Sequence, residues 1–400
     1  MELIVNERID NNFEVMQKVK LKDIAEFIRT GKTPPTNQTQ YFEGQINWYT
    51  PGDFNNGKIL RKSKRTLTQI ALDDKKAITF PKDTLLITCI GDIGKIGITQ
   101  EDCSSNQQIT GIKPKKSTDV NYLYYWFLAN KKVLENTANS AVVPILNNKT
   151  LQNIDFKFPV LPTQQKIAEI LDTADQLRQY HKQLIQKYDS LTQSLFLEMF
   201  GDPVRNEKEW KKMELGEISD MASGSTPSRT NENNFIGNIP WVKTTEVDGK
   251  IINDTLEKIS EEALKNSSCR LFPKGSIVIA MYGQGKTRGQ IGILGIEAAT
   301  NQACCVLRPS NKMDFQFLYY NLSMLYHDLR SLGRGGNQPN LNLGLLKNYE
   351  LINPPLSLQT QFAKQVQMIE TQKQQAQQAL AKSEDLFQSL LQRAFKGELN

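Results

Sequence analysis

Residues 163–199 read TQQKIAEILDTADQLRQYHKQLIQKYDSLTQSLFLEM, a run without Gly or Pro in which helix formers dominate. Ile167, Ile170, Ala174, Leu177, His181, Leu184, Tyr188, Leu191 and Leu195 fall at alternating spacings of three and four, which marks one long helix carrying a coiled-coil seam. At 1.5 Å per residue such a helix spans roughly 55 Å. The design returns near the end of the chain, where Gln359 to Phe395 carries Phe362, Ile369, Ala376, Ala379, Leu386 and Leu390 in a seam diluted by glutamine. Pro162 and Pro355 sit where proline is tolerated, at or before a helix start, and Gly201 and Gly397 come after the last apolar turns as stop signals. Two helices of equal length, each with one apolar stripe, bury those stripes most simply against each other. Antiparallel pairing is the expected arrangement.

The helices belong to a larger repeat, seen when the sequence is slid against itself. Gly31-Lys-Thr-Pro34 returns as Gly224-Ser-Thr-Pro227 and Ile46-Asn-Trp48 as Ile239-Pro-Trp241, both 193 residues later. Phe80-Pro-Lys82 returns as Phe272-Pro-Lys274. Beyond a three-residue insertion the offset settles at 195, where Ser105-Asn-Gln107 matches Thr300-Asn-Gln302 and Tyr122-Leu-Tyr-Tyr125 matches Phe317-Leu-Tyr-Tyr320. Gln164 with Ile167-Ala168 then matches Gln359 with Phe362-Ala363, and Ser194-Leu195 with Phe200 matches Ser389-Leu390 with Phe395. The part of each copy before its helix, about Val19 to Pro159 and Met213 to Pro355, mixes short β-branched runs with Gly, Pro and Asn punctuation. Thr84 to Ile90 and Gly275 to Ala280 read as strands; Tyr122 to Ala129 and Phe315 to Leu325 read as short helices packed on the sheet. The fold class is therefore α/β: two similar α/β domains separated by two long helices that form an antiparallel coiled coil, with a pseudo-two-fold internal repeat.

Composition narrows the function. The 400 residues favour two or three domains, and 39% hydrophobic with 23% charged residues is near the globular average. No run approaches eighteen uninterrupted apolar residues, and Met1 to Asp10 has acidic residues where a signal peptide would be apolar, so no membrane association is expected. Cys89, Cys103, Cys269, Cys304 and Cys305 form no C-x-x-C pair, which fits a reducing cytoplasm. With only His181 and His327, a zinc site or a histidine-based triad has few candidates, and no metal is expected. The net charge of +6 favours an anionic partner.

Taken together and in order, the Gly-x-Thr-Pro turns at Gly31 and Gly224, Ile239-Pro-Trp241, the helix starts Pro162-Thr-Gln-Gln-Lys-Ile-Ala168 and Leu358-Gln-Thr-Gln-Phe-Ala363, and the helix ends Met199-Phe-Gly-Asp-Pro203 and Ala394-Phe-Lys-Gly-Glu398 resemble the specificity subunit of type I restriction-modification systems over nearly the full length. Ser357 stands where the first copy has Pro162, a small departure. The resemblance implies target recognition domain 1 over residues 1–162, a helical spacer over 163–200, target recognition domain 2 over 201–357 and a second spacer over 358–400. It implies two heads on half-sites of double-stranded DNA roughly a helical turn apart, at the ends of a rod on the order of 50 Å. It further implies a non-catalytic chain without a cofactor of its own. By the same resemblance, two modification (methyltransferase) subunits holding S-adenosylmethionine are expected to dock on the coiled coil, with ATP-dependent restriction subunits joining them.

Sequence readout needs hydrogen-bonding side chains on loops that enter a groove, with lysines and arginines for phosphates. Where the first copy has Ile90-Gly-Asp-Ile-Gly-Lys95-Ile-Gly97, the second has Tyr282-Gly-Gln284-Gly-Lys286-Thr-Arg288-Gly-Gln290. Divergence in length and polarity suits two heads reading different half-sites; a hairpin tip that drifted freely is the competing reading. Asn106 and Gln107, with Asn301 and Gln302, suit adenine edges, although recurrence in both copies equally suits a structural role. Arg61, Lys62, Lys64 and Arg65 form a basic run in one copy only, readable as phosphate contact or as a solvated face. Arg334, Asn337, Gln338 and Asn340 lie in a flexible, cationic, amide-rich stretch. Lys32 and Thr33, their counterparts Thr226, Ser228 and Arg229, and Lys243 complete the DNA-binding candidates near the two turns.

Two segments imitate catalytic motifs. Ala280 to Thr287 ends in Gly285-Lys286-Thr287 after a strand, as in a phosphate loop, yet the next residues, Arg288 to Gly295, are glycine-rich and β-branched where a helix should open. Asn353-Pro354-Pro355-Leu356 approaches the Asn-Pro-Pro-aromatic motif of DNA amino-methyltransferases, with Leu in place of the aromatic residue. Neither has a counterpart in the first copy. A DNA adenine methyltransferase and a coiled-coil scaffold without a nucleic-acid role remain the rival readings.

Overall fold

The computed structural model describes residues 17–54, 57–137, 144–333 and 340–399. The first head runs β1 (Gln17–Lys20), α1 (Leu21–Ile24), β2 (Ala25–Thr30), β3 (Phe42–Tyr49), β4 (Arg65–Leu67), α2 (Gln69–Asp73), β5 (Leu85–Thr88), β6 (Ile96–Ile98), β7 (Ser104–Ser105), β8 (Ile109–Pro114), α3 (Val120–Ala129), α4 (Lys131–Thr137), α5 (Asn148–Gln152) and β9 (Asp155–Phe158). The 40-residue helix α6 (Leu161–Phe200) comes next. The second head runs β10 (Lys212–Glu214), α7 (Leu215–Ile218), β11 (Met221–Ser223), β12 (Ile239–Val242), β13 (Ile251–Ile252), β14 (Glu257–Ile259), α8 (Glu261–Lys265), β15 (Ile277–Ala280), β16 (Ile291–Leu294), β17 (Ala299–Thr300), β18 (Cys304–Leu307), α9 (Phe315–Met324), α10 (Tyr326–Ser331), α11 (Leu343–Lys347) and β19 (Glu350–Ile352). The 41-residue helix α12 (Leu356–Lys396) closes the chain.

The repeat is preserved strand by strand. The main sheet has the order β2-β8-β5-β6 in the first head and β11-β18-β15-β16-β13 in the second. The extra strand has its equivalent in a single parallel bridge, Ile59 to Ile98. A smaller sheet has the order β4-β3-β7 in one head and β14-β12-β17 in the other, each joining its last pair in parallel, and a two-stranded ribbon recurs as β1-β9 and β10-β19. The central strands β5 and β15 are buried on both faces, which explains why they read as unbroken apolar runs.

The chain divides into two compact units, Met1–His181 with Ala379–Asn400, and Lys182–Gln378. Each takes one head together with a stretch of both long helices. In the first unit Ile167, Ala168, Leu171 and Ala174 of α6 share a core with Phe387, Leu391 and Ala394 of α12 and with Tyr122 and Tyr125 of α3. In the second unit Phe196 and Phe200 of α6 share a core with Phe362 and Val366 of α12 and with Phe317 of α9. The start of α6 thus meets the end of α12, and the end of α6 meets the start of α12, so the helices run antiparallel within each unit. Ring centroids of Phe200 and Phe317 lie 4.7 Å apart, and those of Phe200 and Phe362 5.3 Å apart.

The seam itself departs from the sequence reading. Leu177, Leu184 and Leu191 are 41%, 38% and 50% exposed, and Leu386 is 47% exposed. Their inward neighbours are instead Leu171, Arg178 and Thr192, and Arg178 stacks its guanidinium 4.2 Å from the Phe387 ring centroid; His181 keeps its seam place, with Nδ1 3.1 Å from Ser383 Oγ. Strict heptad spacing assumes that the partner helix alone chooses the face. Here the first head packs on the same helix and takes up Ala168 and Leu171 beside Ile167, so alternate seam positions shift by one residue while Ile167 and Ala174 stay inward.

Two buried glutamines fix each head to its helix. Gln164, fully buried, accepts from Asp119 N at 2.8 Å and donates to the carbonyls of Pro159 at 2.8 Å and Ser117 at 3.2 Å. Gln359 accepts from Asp314 N at 2.8 Å and donates to Pro354 O at 2.8 Å and Asn353 Oδ1 at 3.1 Å. Asp119 and Asp314 in turn cap α3 and α9 by accepting from the first backbone N–H groups of those helices.

Candidate nucleic-acid interface

Some of the candidate side chains bond or stack within their own head, and several of these, Lys32, Arg65, Gln107, Ser228, Arg229 and Gln302, are still exposed. Thr33 Oγ1 donates to Gln107 Oε1, and Thr226 Oγ1 donates to Gln302 Oε1, the same bond in both heads. These pairs tie each Gly-x-Thr-Pro turn to the residues after β7 or β17. The turn needs glycine: a Cβ on Gly31 would lie 2.2 Å from Ser105 Oγ, and one on Gly224 2.1 Å from the Thr300 carbonyl oxygen. Asn106 is buried and closes an Asx turn, donating to Gln108 Oε1 at 2.9 Å and accepting from Gln108 N at 3.0 Å. Asn301 lacks that partner because Ala303 stands at the matching position, and its Oδ1 is buried without a hydrogen bond. The loop's own bonding thus engages Asn106, and the Asn301 oxygen has no such bond.

Two of the candidate arginines, both exposed, also stack on aromatic rings of their own head. Arg65 stacks 4.9 Å from the ring centroids of both Phe42 and Trp48. Arg229 lies 4.0 Å from Phe235 and 5.1 Å from Trp241, the repeat-equivalent rings, and pairs with Glu257 at 2.7 Å. The two arginines reach one aromatic pair from different places in the sequence, so the repeat alone could not reveal the role. Lys243 also bonds Glu257; Lys243 first and Arg229 second hold that carboxyl below the usual carboxylate range. Lys32 Nζ donates to the Lys75 carbonyl at 2.6 Å, Ser228 Oγ lies 2.8 Å from Thr230 Oγ1, and Lys95 pairs with Asp92 at 2.8 Å.

Further candidates lie on a few loops. In the first head Arg61, Lys62 and Lys64 are exposed and line an open groove of about 530 Å³ with Gln45, Asn47, Gln100 and Glu101. Their backbone is pinned from inside: Tyr49 Oη donates to Arg61 O at 2.9 Å, Lys64 N donates to Asp53 Oδ1 at 2.9 Å, and buried Ser63 bonds Asn47. In the second head the β15–β16 loop presents exposed Tyr282, Gln284 and Lys286, with Arg288 half-buried. Asn340 is half-buried at its edge of the second head; Arg334, Asn337 and Gln338 lie outside the described residues.

The catalytic imitations find plain structural uses. Gly285-Lys286-Thr287 joins two antiparallel strands, β15 and β16, so the chain continues as a strand where a phosphate loop would open a helix. Asn353-Pro354-Pro355 links β19 to α12, with Asn353 Oδ1 and Pro354 O both taken by Gln359. All five cysteines are buried free thiols; burial pushes Cys89 up to about 11 and Cys305 up to about 12.

A family-wide comparison matches residues 14–188 and 207–381 to the type I restriction modification DNA specificity domain. Two copies of one domain thus cover most of the chain, in the register of the internal repeat. The chain belongs to this specificity family. It is similar to the specificity subunit of the type I restriction enzyme MjaIX from Methanocaldococcus jannaschii, with 27% identity over 87% of this chain and 85% of the relative. Its fold is similar to that of the type I restriction-modification S subunit from M. genitalium, at a TM-score of 0.57 and 18% identity, covering 97% and 98% of the two chains. It is also similar, at a TM-score of 0.61 and 16% identity over 96% and 98%, to a chain in a structure addressing complex assembly and conformational transition of the type I R-M system. Among the described residues no helix of this specificity-family chain is long and apolar enough to cross a membrane.

Proposed function

We propose that this chain is the DNA sequence-specificity subunit of a type I restriction-modification complex, reading one half of a split, asymmetric site with each head. One observation carries the reading: a single scaffold, shared by the two copies down to strand order and to the Thr–Gln bond beneath each turn, differs where side chains meet solvent. Arg61, Lys62 and Lys64 are exposed in the first head, where the second has Asp254, Thr255 and Glu257; Tyr282, Gln284 and Lys286 are exposed in the second, where the first has a shorter loop whose charged residues, Asp92 and Lys95, pair with each other. Lysines and arginines suit phosphates, and amide and phenol groups suit base edges. Specificity then lies in the loops and not in the fold.

On this reading the chain acts in the cytoplasm, binds no cofactor and carries out no chemistry. Two methyltransferase subunits, each holding S-adenosylmethionine, and ATP-dependent restriction subunits supply it. Two assays test the proposal. The purified chain is incubated with DNA and labelled S-adenosylmethionine; methyl transfer by the chain alone would contradict the non-catalytic role. The chain is then footprinted on DNA together with its methyltransferase partner at low salt; two protected patches are expected, and their absence would sink the DNA-reading role in favour of a scaffold.

A further inference from the structure

The β15–β16 loop of the second head is held from behind by an element that the sequence repeat does not single out. Helix α10 places Tyr326 and Arg330 one turn apart, beneath residues 285–289. Arg330 Nη2 donates to Gly285 O at 2.8 Å and Nη1 to Arg288 O at 2.6 Å, while Tyr326 Oη donates to Lys286 O at 2.7 Å. The guanidinium sits 5.4 Å from the Tyr326 ring centroid, which braces the fork. Three loop carbonyls are thereby turned inward, and the side chains of Gln284 and Lys286 remain exposed. Gly289 makes the clamp fit: at φ +82° it adopts a conformation that disfavours other residues, and a Cβ there would lie 2.8 Å from Arg330 Cγ.

The first head solves the same problem with different chemistry. Its β5–β6 loop is anchored by Ile93, 3% exposed and packed in the core, and by Thr88 Oγ1, which donates to Asp92 O at 2.5 Å. At the 195-residue offset, Tyr326 and Arg330 correspond to Lys131 and Glu135, which pair with each other at 3.7 Å. An apolar plug fixes one loop by burying its own side chain. A guanidinium clamp fixes the other through backbone carbonyls, which leaves Gln284 and Lys286 free to face a ligand.

We infer that Arg330 is a positioning residue for DNA readout by the second head: it sets the base preference of that half-site by fixing the backbone of loop 282–289, without touching DNA. The inference rests on the proposed specificity role and names the device within it. A planar, permanently charged fork suits the task, since it bonds two carbonyls at once where lysine offers a point charge.

The test uses the full chain assembled with its methyltransferase subunits and a DNA library randomised in both half-sites, with methylated products sequenced. Arg330→Ala is expected to reduce discrimination at the best-read base of one half-site by about tenfold and to leave the other half unchanged. Arg330→Lys and Tyr326→Phe, which keep the packing, are expected to give smaller losses in the same half. The dependence of binding on salt is expected to keep its slope, because no phosphate contact is lost. Unchanged preference in both halves, equal broadening of both, or a slope reduced by about one with preference intact would each overturn the positioning role. If the unmodified chain directs no preference in either half, the specificity reading itself falls, and this inference with it.

Discussion

Replacing Gln164 by leucine removes one side chain and orphans three backbone groups at once. The carboxamide is fully buried, accepts from Asp119 N and donates to Pro159 O and Ser117 O. A buried polar group left without a partner costs about 1–3 kcal/mol. Asp119 N–H and Pro159 C=O flank the helix starts and have little room to relax, whereas the longer 3.2 Å bond to Ser117 is the weakest of the three. A loss of about 3 kcal/mol in the first unit is therefore expected for Gln164→Leu. Gln359→Leu should cost about 1 kcal/mol less, because one of its partners is the Asn353 side chain, which can rotate toward water. Hydrogen exchange resolved by peptide suits the assay, since each unit reports its own opening free energy. Gln164→Glu adds a pH test. Its second oxygen would face two carbonyls, so burial and repulsion raise its folded-state pKa above the unfolded value of about 4.3. The variant should approach wild-type stability below that value and weaken as pH rises through the folded pKa. A cost below about 1 kcal/mol at both glutamines, or a Gln164→Glu variant indifferent to pH, would refute the reasoning.

The same contacts set further expectations. Phe200→Ala should destabilise the second unit by about 3–5 kcal/mol in chemical denaturation, because Phe200 is fully buried between Phe317 and Phe362. Leu184→Gln should change stability by less than about 0.5 kcal/mol, since that leucine faces solvent; a larger loss would restore the strict heptad seam. Lys62→Ala and Lys64→Ala should each reduce the salt slope of DNA binding by about one without altering the preferred sequence, as measured by titration at several salt concentrations. Glu257 ionises below the usual range, so its pairs with Lys243 and Arg229 stabilise the second head above the unfolded carboxylate pKa and fade as pH falls through the folded one. Acid titration of Glu257→Gln should therefore show a flatter low-pH limb than the unmodified chain.

The repeat made the architecture legible. A match at offsets of 193 and 195 residues fixed two heads and two helices, and the strand orders agree with it. The seam was legible only in part, because a heptad count includes the partner helix and omits the head: Ile167, Ala174 and Phe362 turn inward as read, but Leu177, Leu184 and Leu191 do not. Site residues were harder still. Arg65 and Arg229 are exposed as read, but only three-dimensional placement shows them also stacked on Phe42 with Trp48 and on Phe235 with Trp241. The recurrence of Gln107 and Gln302, like that of Gln164 and Gln359, was a sequence signal of a bond shared by the two copies. Arg330 carried no such signal, since its counterpart Glu135 belongs to a head that anchors its loop by a different force.

Exchange of one head tests the central claim most directly. Residues 213–350 are replaced by the corresponding segment of another member of the family, the chain is expressed with its methyltransferase subunits, and the methylated motifs of the host genome are sequenced. A split motif in which one half changes and the other is retained is the result predicted here. Loss or alteration of both halves together, or methylation independent of this chain, would contradict it.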